Sequence, residues 1–372
     1  MAKVILAYSG GLHTSVCVHW LRRERGLRVI AVAVDLGQKS SLREEADRAI
    51  AAGADSVHII DKRERFVTDF IFKALKANAR VQSGYLLTTA LARPLICREL
   101  VKRAREENCR IIAHGARGNR NDVIRFRNSI SALAPEMQII TPVAEWRMKT
   151  RQEEIDYATR NRIPIQDLGE RTLGYDKNLW GTTLRCGAVA STWSEVKELP
   201  YQMTLDPEDA PDTPDIVEIE FERGLPVSLN AERLGPLELI DKLNTLGGSH
   251  GVGRLDTVED TLSGTRTRNV YEAPAATILY AAHEALELLV LRRLLVRYKD
   301  LLGRKYADLI FRGEWFDEFR ECLDVFFDRS QQRVTGAVRV KLYKGACSVV
   351  GRESEFSLFT QPDAAVVERL IE

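Results

Sequence analysis

A strand, a glycine turn and a helix start follow one another at the beginning of this chain. The apolar run at 4–7 precedes Ser9-Gly10-Gly11. Apolar residues four positions apart, such as Val16 and Trp20, follow it and indicate a helix. Glycines let the backbone pass close to a ligand, and a helix start combines unpaired N–H donors with the positive end of the helix dipole. We therefore expect the hydroxyls of Ser9, Thr14 and Ser15 to face one volume that binds a nucleotide phosphate; the alternative is a plain turn.

Length, charge and hydropathy limit the classes of protein to which this chain can belong. The 372 residues suffice for two domains, and 54 basic against 53 acidic residues leave a net charge of +1. This balance argues against a nucleic-acid partner, which usually binds a protein with a basic excess. No apolar run is long enough to span a bilayer, so we expect no membrane partner.

Cysteine and histidine spacing gives no sign of a disulfide framework or a metal site. The six cysteines are scattered without a Cys-x-x-Cys pair, and the six histidines do not cluster. The N-terminus enters a strand at once, without the pattern of a signal peptide. We expect free thiols in a reducing cytosol, a cytoplasmic protein and no metal held by protein side chains.

Strand and helix patterns alternate through the first 165 residues. Five short apolar runs, at 4–8, 29–35, 57–60, 110–114 and 138–142, are separated by helical patterns, and Thr150 begins a capping box with Glu153. Apolar runs without alternation indicate a parallel sheet with helices on both faces. Ligands bind beyond the carboxyl ends of such strands, so we expect the loops at 8–15 and 115–122 to share one edge.

The pattern changes after about Asp167. A Pro- and Asp-rich loop at 200–214 leads to alternating strands at 216–221 and 226–229 and to a helix at 236–246 that precedes a glycine cluster. A long apolar helix at 275–299 and a hairpin around Lys344-Gly345 follow. Strands and helices in blocks indicate an α+β unit. We expect an α/β domain at 1–167, an α+β domain at 168–359 and a short C-terminal arm at 360–372.

Several motifs together resemble a known family. The loop Ser9-Gly10-Gly11-Leu12-His13-Thr14-Ser15 resembles the SGGxDS pyrophosphate loop of the N-type ATP pyrophosphatases, which have the adenine nucleotide α-hydrolase-like fold. The whole chain resembles the argininosuccinate synthase family. The motifs that carry this resemblance include Leu36-Gly-Gln38, Thr89-Ala-Leu-Ala-Arg-Pro94, Ala113-His-Gly115, Asn178-Leu-Trp-Gly181, His250-Gly-Val-Gly-Arg254 and Val270-Tyr-Glu-Ala-Pro274.

The resemblance implies a reaction and its cofactors. ATP adenylates the ureido oxygen of citrulline, pyrophosphate leaves, and the amine of aspartate then displaces AMP. ATP and Mg²⁺ are the implied cofactors, and aspartate with citrulline or an analogue are the implied substrates. The first domain would bind ATP, the second would complete the synthetase site and mediate multimerisation, and the protein would be a homo-oligomer in arginine biosynthesis.

The resemblance also assigns residues to roles. Those expected around ATP are Ala7, Tyr8, Ser9, Gly10, Gly11, Thr14 and Ser15 at the phosphates, with Ala33 and Gly115 near the adenosine. Those expected to bind substrates are Tyr85, Thr89, Arg117, Asn121, Asp122, Arg125, Thr183, Arg185, Glu259 and Tyr271. Among them, those that match acceptor (citrulline) positions are Tyr85, Arg125, Glu259 and Tyr271, and those that match aspartate positions are Asn121 and Asp122. Catalytic roles fall to His13, Asp122 and Arg125. On residue type alone, the alternative is that the tyrosines are half-buried aromatics and Arg125 and Glu259 are surface charges.

The sequence departs from the family pattern inside this residue set. Three charged or titratable residues are involved: His13 replaces Asp, Arg117 replaces Thr, and Arg185 replaces Glu. In addition, Arg120 and Thr88 each replace a Gly, and Gly174 and Thr183 each replace a Ser. Imidazole is a poor ligand for Mg²⁺, which prefers oxygen. Arg117 and Arg185 favour carboxylate or phosphate groups, whereas Arg185 disfavours the α-ammonium group of citrulline.

These departures leave several interpretations open. The first is an AMP-forming carbon–nitrogen ligase, acting on citrulline or on a related acceptor in specialised metabolism. The second is a nucleotide-binding homologue that has lost catalysis and acts as a sensor or scaffold, which His13 favours. A tRNA-modifying pyrophosphatase is disfavoured, because neither a cysteine nucleophile nor a basic face is evident. The short C-terminal arm leaves dimer and tetramer open.

Overall fold

The computed structural model describes residues 1–38, 41–81, 84–117, 121–164, 174–185, 191–193 and 200–360. In the first half the strands are β1 (Lys3–Ala7), β2 (Arg28–Asp35), β3 (Ser56–Asp61), β4 (Ile111–His114) and β5 (Gln138–Ile140). The helices are α1 (Leu12–Arg25), α2 (Leu42–Ala51), α3 (Arg63–Phe66), α4 (Phe72–Lys76), α5 (Thr88–Glu106), α6 (Asn121–Leu133), α7 (Pro142–Glu145) and α8 (Arg151–Arg160).

The first sheet is parallel throughout, with the strand order β3-β2-β1-β4-β5. Strands β2 and β3 lie on one side of β1, and the chain then crosses over so that β4 and β5 lie on the other side. The strand order therefore reverses between β1 and β4, which opens a crevice at the carboxyl ends of these two strands. The loops after β1 and β4 flank this crevice, as the sequence predicts.

Helices cover both faces of this sheet. Val4 and Leu6 of β1 pack into one apolar cluster with α1, whereas Ile5 points to the opposite face and packs into a second cluster with α5. All three side chains are fully buried. Burial on both faces explains why the strands read as continuous apolar runs, and the predicted α/β fold is confirmed.

The second half adds two antiparallel sheets. Its strands are β6 (Gly174–Asn178), β7 (Gly181–Arg185), β8 (Asp215–Glu222), β9 (Leu225–Leu229), β10 (Glu232–Arg233), β11 (Arg254–Asp260), β12 (Arg266–Glu272), β13 (Gly336–Tyr343) and β14 (Ala346–Glu353). Its helices are α9 (Pro236–Ser249), α10 (Pro274–Val290), α11 (Arg293–Arg312) and α12 (Glu318–Ser330). The sheet orders are β10-β9-β8-β13-β14 and β11-β12-β7-β6.

Two helix predictions differ from the structure. The predicted helix at 275–299 is two helices, because Leu291 and Arg292 are extended and separate α10 from α11. Neither residue is a Pro or a Gly, so the break leaves no sequence signal. The helix predicted to end at Leu246 continues as α9 to Ser249, since Gly248 lets the helix pack directly on the backbone of Met203. Within the described ranges, no helix has the length and apolar character needed to cross a bilayer.

Candidate active site

The loop between β1 and α1 has the backbone of a phosphate site. Gly10 adopts φ +71°, and Gly11 is the N-cap of α1 in an extended conformation. No described side chain caps this helix start, so its first N–H groups remain available. The Ser9 hydroxyl lies 3.3 Å from the Thr14 hydroxyl, which brings two polar side chains to the same helix start. This geometry suits an anion.

Two residues of the loop differ from the expectation. Ser15 is buried, and its hydroxyl pairs with the Tyr8 hydroxyl at 3.0 Å, so these hydroxyls face each other inside the protein. Gly10 borders Glu45 of α2, because a Cβ on Gly10 would overlap the Glu45 side chain. The packing of α2 and the positive φ both require a glycine here.

The loops after β1 and β4 touch each other. A Cβ on Gly115 would lie 3.1 Å from Thr14 Cγ2 and 3.9 Å from His13 Cβ, so the small residue permits the close approach. Ala7 is paired with Val32 on one side and His114 on the other, at the crevice between β1 and β4. Ala33 is buried in β2.

His13 and Arg117 share a carboxylate that the sequence interpretation missed. Glu154 of α8 is 1% exposed. His13 Nδ1 lies against Glu154 Oε2, and Arg117 Nη2 donates to Glu154 Oε1 at 2.5 Å. Arg117 is thus engaged by a protein carboxylate, whereas we expected it to be open to a substrate anion. The only sequence signal for Glu154 is its place in the helix that begins with the Thr150 capping box.

The residues expected at the acceptor come together between the two halves. Tyr85 precedes α5 and stacks on Tyr271 of β12. The Tyr85 hydroxyl lies 2.9 Å from the Thr89 hydroxyl, and the Tyr271 hydroxyl donates to Glu259 of β11. Both tyrosines are buried, so the half-buried alternative is wrong.

The charged residues of this cluster are buried as well. Arg125 is 3% exposed and Glu259 is 6% exposed, so neither is a surface charge. Arg125 donates from Nε to the Phe311 carbonyl at 2.8 Å and from Nη1 to Asp122 at 3.0 Å. Burial raises the pKa of the Glu259 carboxyl, and the Tyr271 hydrogen bond and the Arg125 charge oppose that rise.

Two arginines bind the Asp122 carboxylate. Arg125 holds one of its oxygens, and Arg93 Nη2 donates to the other at 3.0 Å. Arg93 also contacts Asp176 of β6 and thereby connects α5 to the second half. Arg93 lies inside a motif noted in the sequence, but its spacing does not indicate this role, and Asp176 has no sequence signal at all.

The register of the β11-β12-β7-β6 sheet places the acceptor residues on one face. Tyr271 is opposite Thr183, and Thr183 is opposite Asp176. Within the part of the chain that the structure describes, Glu259 Oε1 and Thr183 Oγ1 are buried without a hydrogen-bond partner. Unpaired buried oxygens are costly, so they indicate a ligand that supplies N–H or O–H donors.

Two of the expected residues, and the departure at Arg120, lie at or beyond the edge of the part of this cluster that the structure describes. Asn121 accepts a hydrogen bond from Leu262 N at 2.8 Å, so it joins α6 to the turn between β11 and β12. The Arg185 backbone pairs with Gly174, but its side chain lies outside the described part of the structure, as does all of Arg120.

Both halves match one family in comparisons with known proteins. The Arginosuccinate synthase N-terminal HUP domain matches residues 3–164, and the Arginosuccinate synthase C-terminal domain matches residues 174–369. The chain belongs to the argininosuccinate synthase family. As a member of this family it is an ATP-dependent ligase, and the comparisons give no support to a sensor or scaffold.

Relatives of the family match over nearly the full chain. The argininosuccinate synthase of Desulfitobacterium hafniense (strain DSM 10664 / DCB-2) is 47% identical over 97% of this chain and 90% of its own length. The corresponding protein of Caldanaerobacter subterraneus is 46% identical over 96% of this chain and 88% of its own. That of Chlorobium limicola is 43% identical over 98% of this chain and 92% of its own.

Proposed function

We propose that this chain joins the amine of aspartate to citrulline or a close relative of citrulline, with release of AMP and pyrophosphate. One observation carries the proposal. The residues that the family resemblance assigns to the acceptor meet in one buried cluster, although they come from α6, from the segment before α5, and from β11 and β12. That cluster borders Asp122, which follows the β4 loop, and the β4 loop touches the phosphate loop.

In the first step the ureido oxygen attacks the α-phosphorus of ATP. The bond from this phosphorus to the bridging oxygen breaks, and pyrophosphate leaves with the electron pair. The open N–H groups at the start of α1 and the hydroxyls of Ser9 and Thr14 stabilise the charge on the departing group. Tyr85, Tyr271 and Arg125 position the acceptor, so the step depends on orientation more than on proton transfer.

In the second step the amine nitrogen attacks the carbon that carries AMP. The carbon–oxygen bond breaks, AMP leaves with the electron pair, and the nitrogen releases a proton. Asp122 is a fixed anion beside the cluster, because Arg93 and Arg125 each bind one of its oxygens. It is suited to hold the amine donor by a charge-assisted hydrogen bond.

Mg²⁺ fits this site only as an ion that arrives on the phosphates. Among the described residues there is no group of three or more His, Cys, Asp or Glu side chains that could cage a metal. The oxygen ligands at the loop are the hydroxyls of Ser9 and Thr14, and Mg²⁺ commonly keeps several waters and binds mainly through substrate phosphates. When bound, it would neutralise phosphate charge.

We extend the proposal to the domain boundary, the oligomeric state and the cellular location. We place the boundary of the ATP-binding domain at about residue 167, with the synthetase domain after it. We also infer a homo-oligomer in the cytoplasm, a dimer or a tetramer, which sedimentation velocity distinguishes by mass.

The test is an assay of pyrophosphate and AMP release from ATP and aspartate. Citrulline is the first acceptor, followed by ureido and carbonyl compounds with altered charge. We expect AMP, pyrophosphate and a condensed product in equal amounts with at least one ureido acceptor. Release of ADP and inorganic phosphate, or no ATP consumption with any acceptor, would contradict the proposal.

A further inference from the structure

Glu154 connects the two loops that flank the crevice. It is buried on α8, and it uses one carboxylate oxygen for each loop. Oε2 faces His13, which follows β1, and Oε1 accepts from Arg117, which follows β4. His13 and Arg117 are otherwise partly exposed, with 32% and 31% of their side chains accessible.

A buried carboxylate of this kind constrains its partners. A buried polar group without a partner is costly, so Glu154 favours loop positions in which both His13 and Arg117 reach it. Gly115 also lies close to Thr14, so the two loops approach each other beside the Glu154 contacts. Movement of either loop therefore breaks a contact to the same side chain.

We propose that Glu154 is a positioning residue that sets the spacing between the phosphate loop and the β4 loop, with His13 and Arg117 acting as one unit. The inference rests on the proposed function, because it assigns ATP to the first loop and the amine to the second. Both partners stand at positions where the sequence departs from the family pattern. The departures at His13 and Arg117 are therefore linked, because both side chains contact the Glu154 carboxylate.

A double-mutant cycle on ATP affinity tests this role. We expect His13→Ala and Glu154→Gln each to raise the Kd of ATP, measured by calorimetry with Mg²⁺, roughly tenfold, and the double variant to be no weaker than either one. Glu154→Asp, which keeps the charge but shortens the reach, should recover part of the affinity. The matched control is Asp156→Asn, which removes an exposed charge from the same helix and should leave the Kd unchanged.

A second readout separates positioning from simple destabilisation. Glu154→Gln should raise the KM for both ATP and the amine, whereas Arg117→Ala should raise chiefly the KM for the amine. Additive effects of His13→Ala and Glu154→Gln, or an unchanged ATP Kd in folded Glu154→Gln, would overturn the proposal. If a variant binds no ATP, the same double-mutant cycle is measured on the free energy of unfolding in urea. Additive changes in that free energy would also overturn the proposal. Absence of turnover in the parent would contradict the proposed function alone, since the binding cycle does not need turnover.

Discussion

Tyr85 and Tyr271 stack with their ring centroids 4.3 Å apart and their planes at 22°. One ring comes from the first half of the chain and the other from β12 in the second half. Their hydroxyls are held by Thr89 and Glu259, so the stack also fixes the polar edge of the acceptor cluster. The proposed acceptor site is therefore complete only when the two halves are packed together.

Gly10 is required by its conformation and by its neighbour. Gly10→Ala places a Cβ at φ +71° and into Glu45, so it should weaken ATP binding at least tenfold and destabilise the fold by about 1 kcal/mol or more. Gly26→Ala is the matched control, because φ is +62° and no described atom lies within 4 Å of the added Cβ. It should lower stability by a similar amount without changing the Kd of ATP. Equal ATP affinities of Gly10→Ala and the parent would show that the loop is wrongly assigned.

His13 should influence the dependence on Mg²⁺. His13→Asp replaces the imidazole next to Glu154 by a second carboxylate, and two carboxylates form a donor set that Mg²⁺ prefers. We expect the rate of pyrophosphate release to rise more steeply with Mg²⁺ concentration in the variant than in the parent. Superimposable Mg²⁺ titrations across several pH values would mean that this position has no part in the chemistry.

His114 should make the protein less stable in acid. Burial lowers the pKa of His114 to about 4, and its Nδ1 accepts a hydrogen bond from Ala116 N in the β4 loop. Because the pKa in the unfolded chain is higher, about 6.5, this contribution to stability is present above pH 6.5 and is lost as the pH falls. The loss between pH 7 and pH 5 is about 2 kcal/mol.

Urea unfolding at the two pH values measures this effect. His114→Asn keeps an acceptor for Ala116 N but cannot titrate, so its free energy of unfolding should change less between pH 7 and pH 5. The same pH dependence in the variant and the parent would contradict the assignment of a buried neutral imidazole.

Arg185 should determine which acceptor is used. The family resemblance implies Glu at this position, so with Arg185 the α-ammonium group of citrulline is expected to lose a hydrogen-bond acceptor and to gain a like charge. We expect an analogue of citrulline without the α-ammonium group, or with an extra anionic group, to react better than citrulline. Arg185→Glu should raise kcat/KM for citrulline about ten- to a hundredfold, the worth of one charge-assisted hydrogen bond.

A charge inversion elsewhere provides the control for this prediction. Arg329→Glu, at the exposed end of α12, should leave kcat/KM for citrulline unchanged. An ordinary kcat/KM for citrulline and aspartate in the parent, of about 10⁴ M⁻¹s⁻¹ or more, would show that the acceptor has not changed.

The sequence predicts the parallel sheet and its site better than it predicts the second half. Apolar runs identify β1 to β5, and Thr150 and Glu153 do form the capping box. Strands β6, β7, β11 and β12 are missed, because polar residues interrupt them and they do not form apolar runs. Asp176 and Glu154 could not be predicted, since their partners lie far away in the chain and only folding brings them together.

Adenylation of the acceptor determines where the ureido oxygen goes. If the ureido oxygen attacks the α-phosphorus, this oxygen must leave with AMP when the amine displaces it. An acceptor labelled with ¹⁸O in the ureido group, incubated with ATP, Mg²⁺ and aspartate, should therefore yield AMP that carries one ¹⁸O atom by mass spectrometry, and pyrophosphate without label. Unlabelled AMP, or label in pyrophosphate, would contradict activation of the acceptor by adenylation.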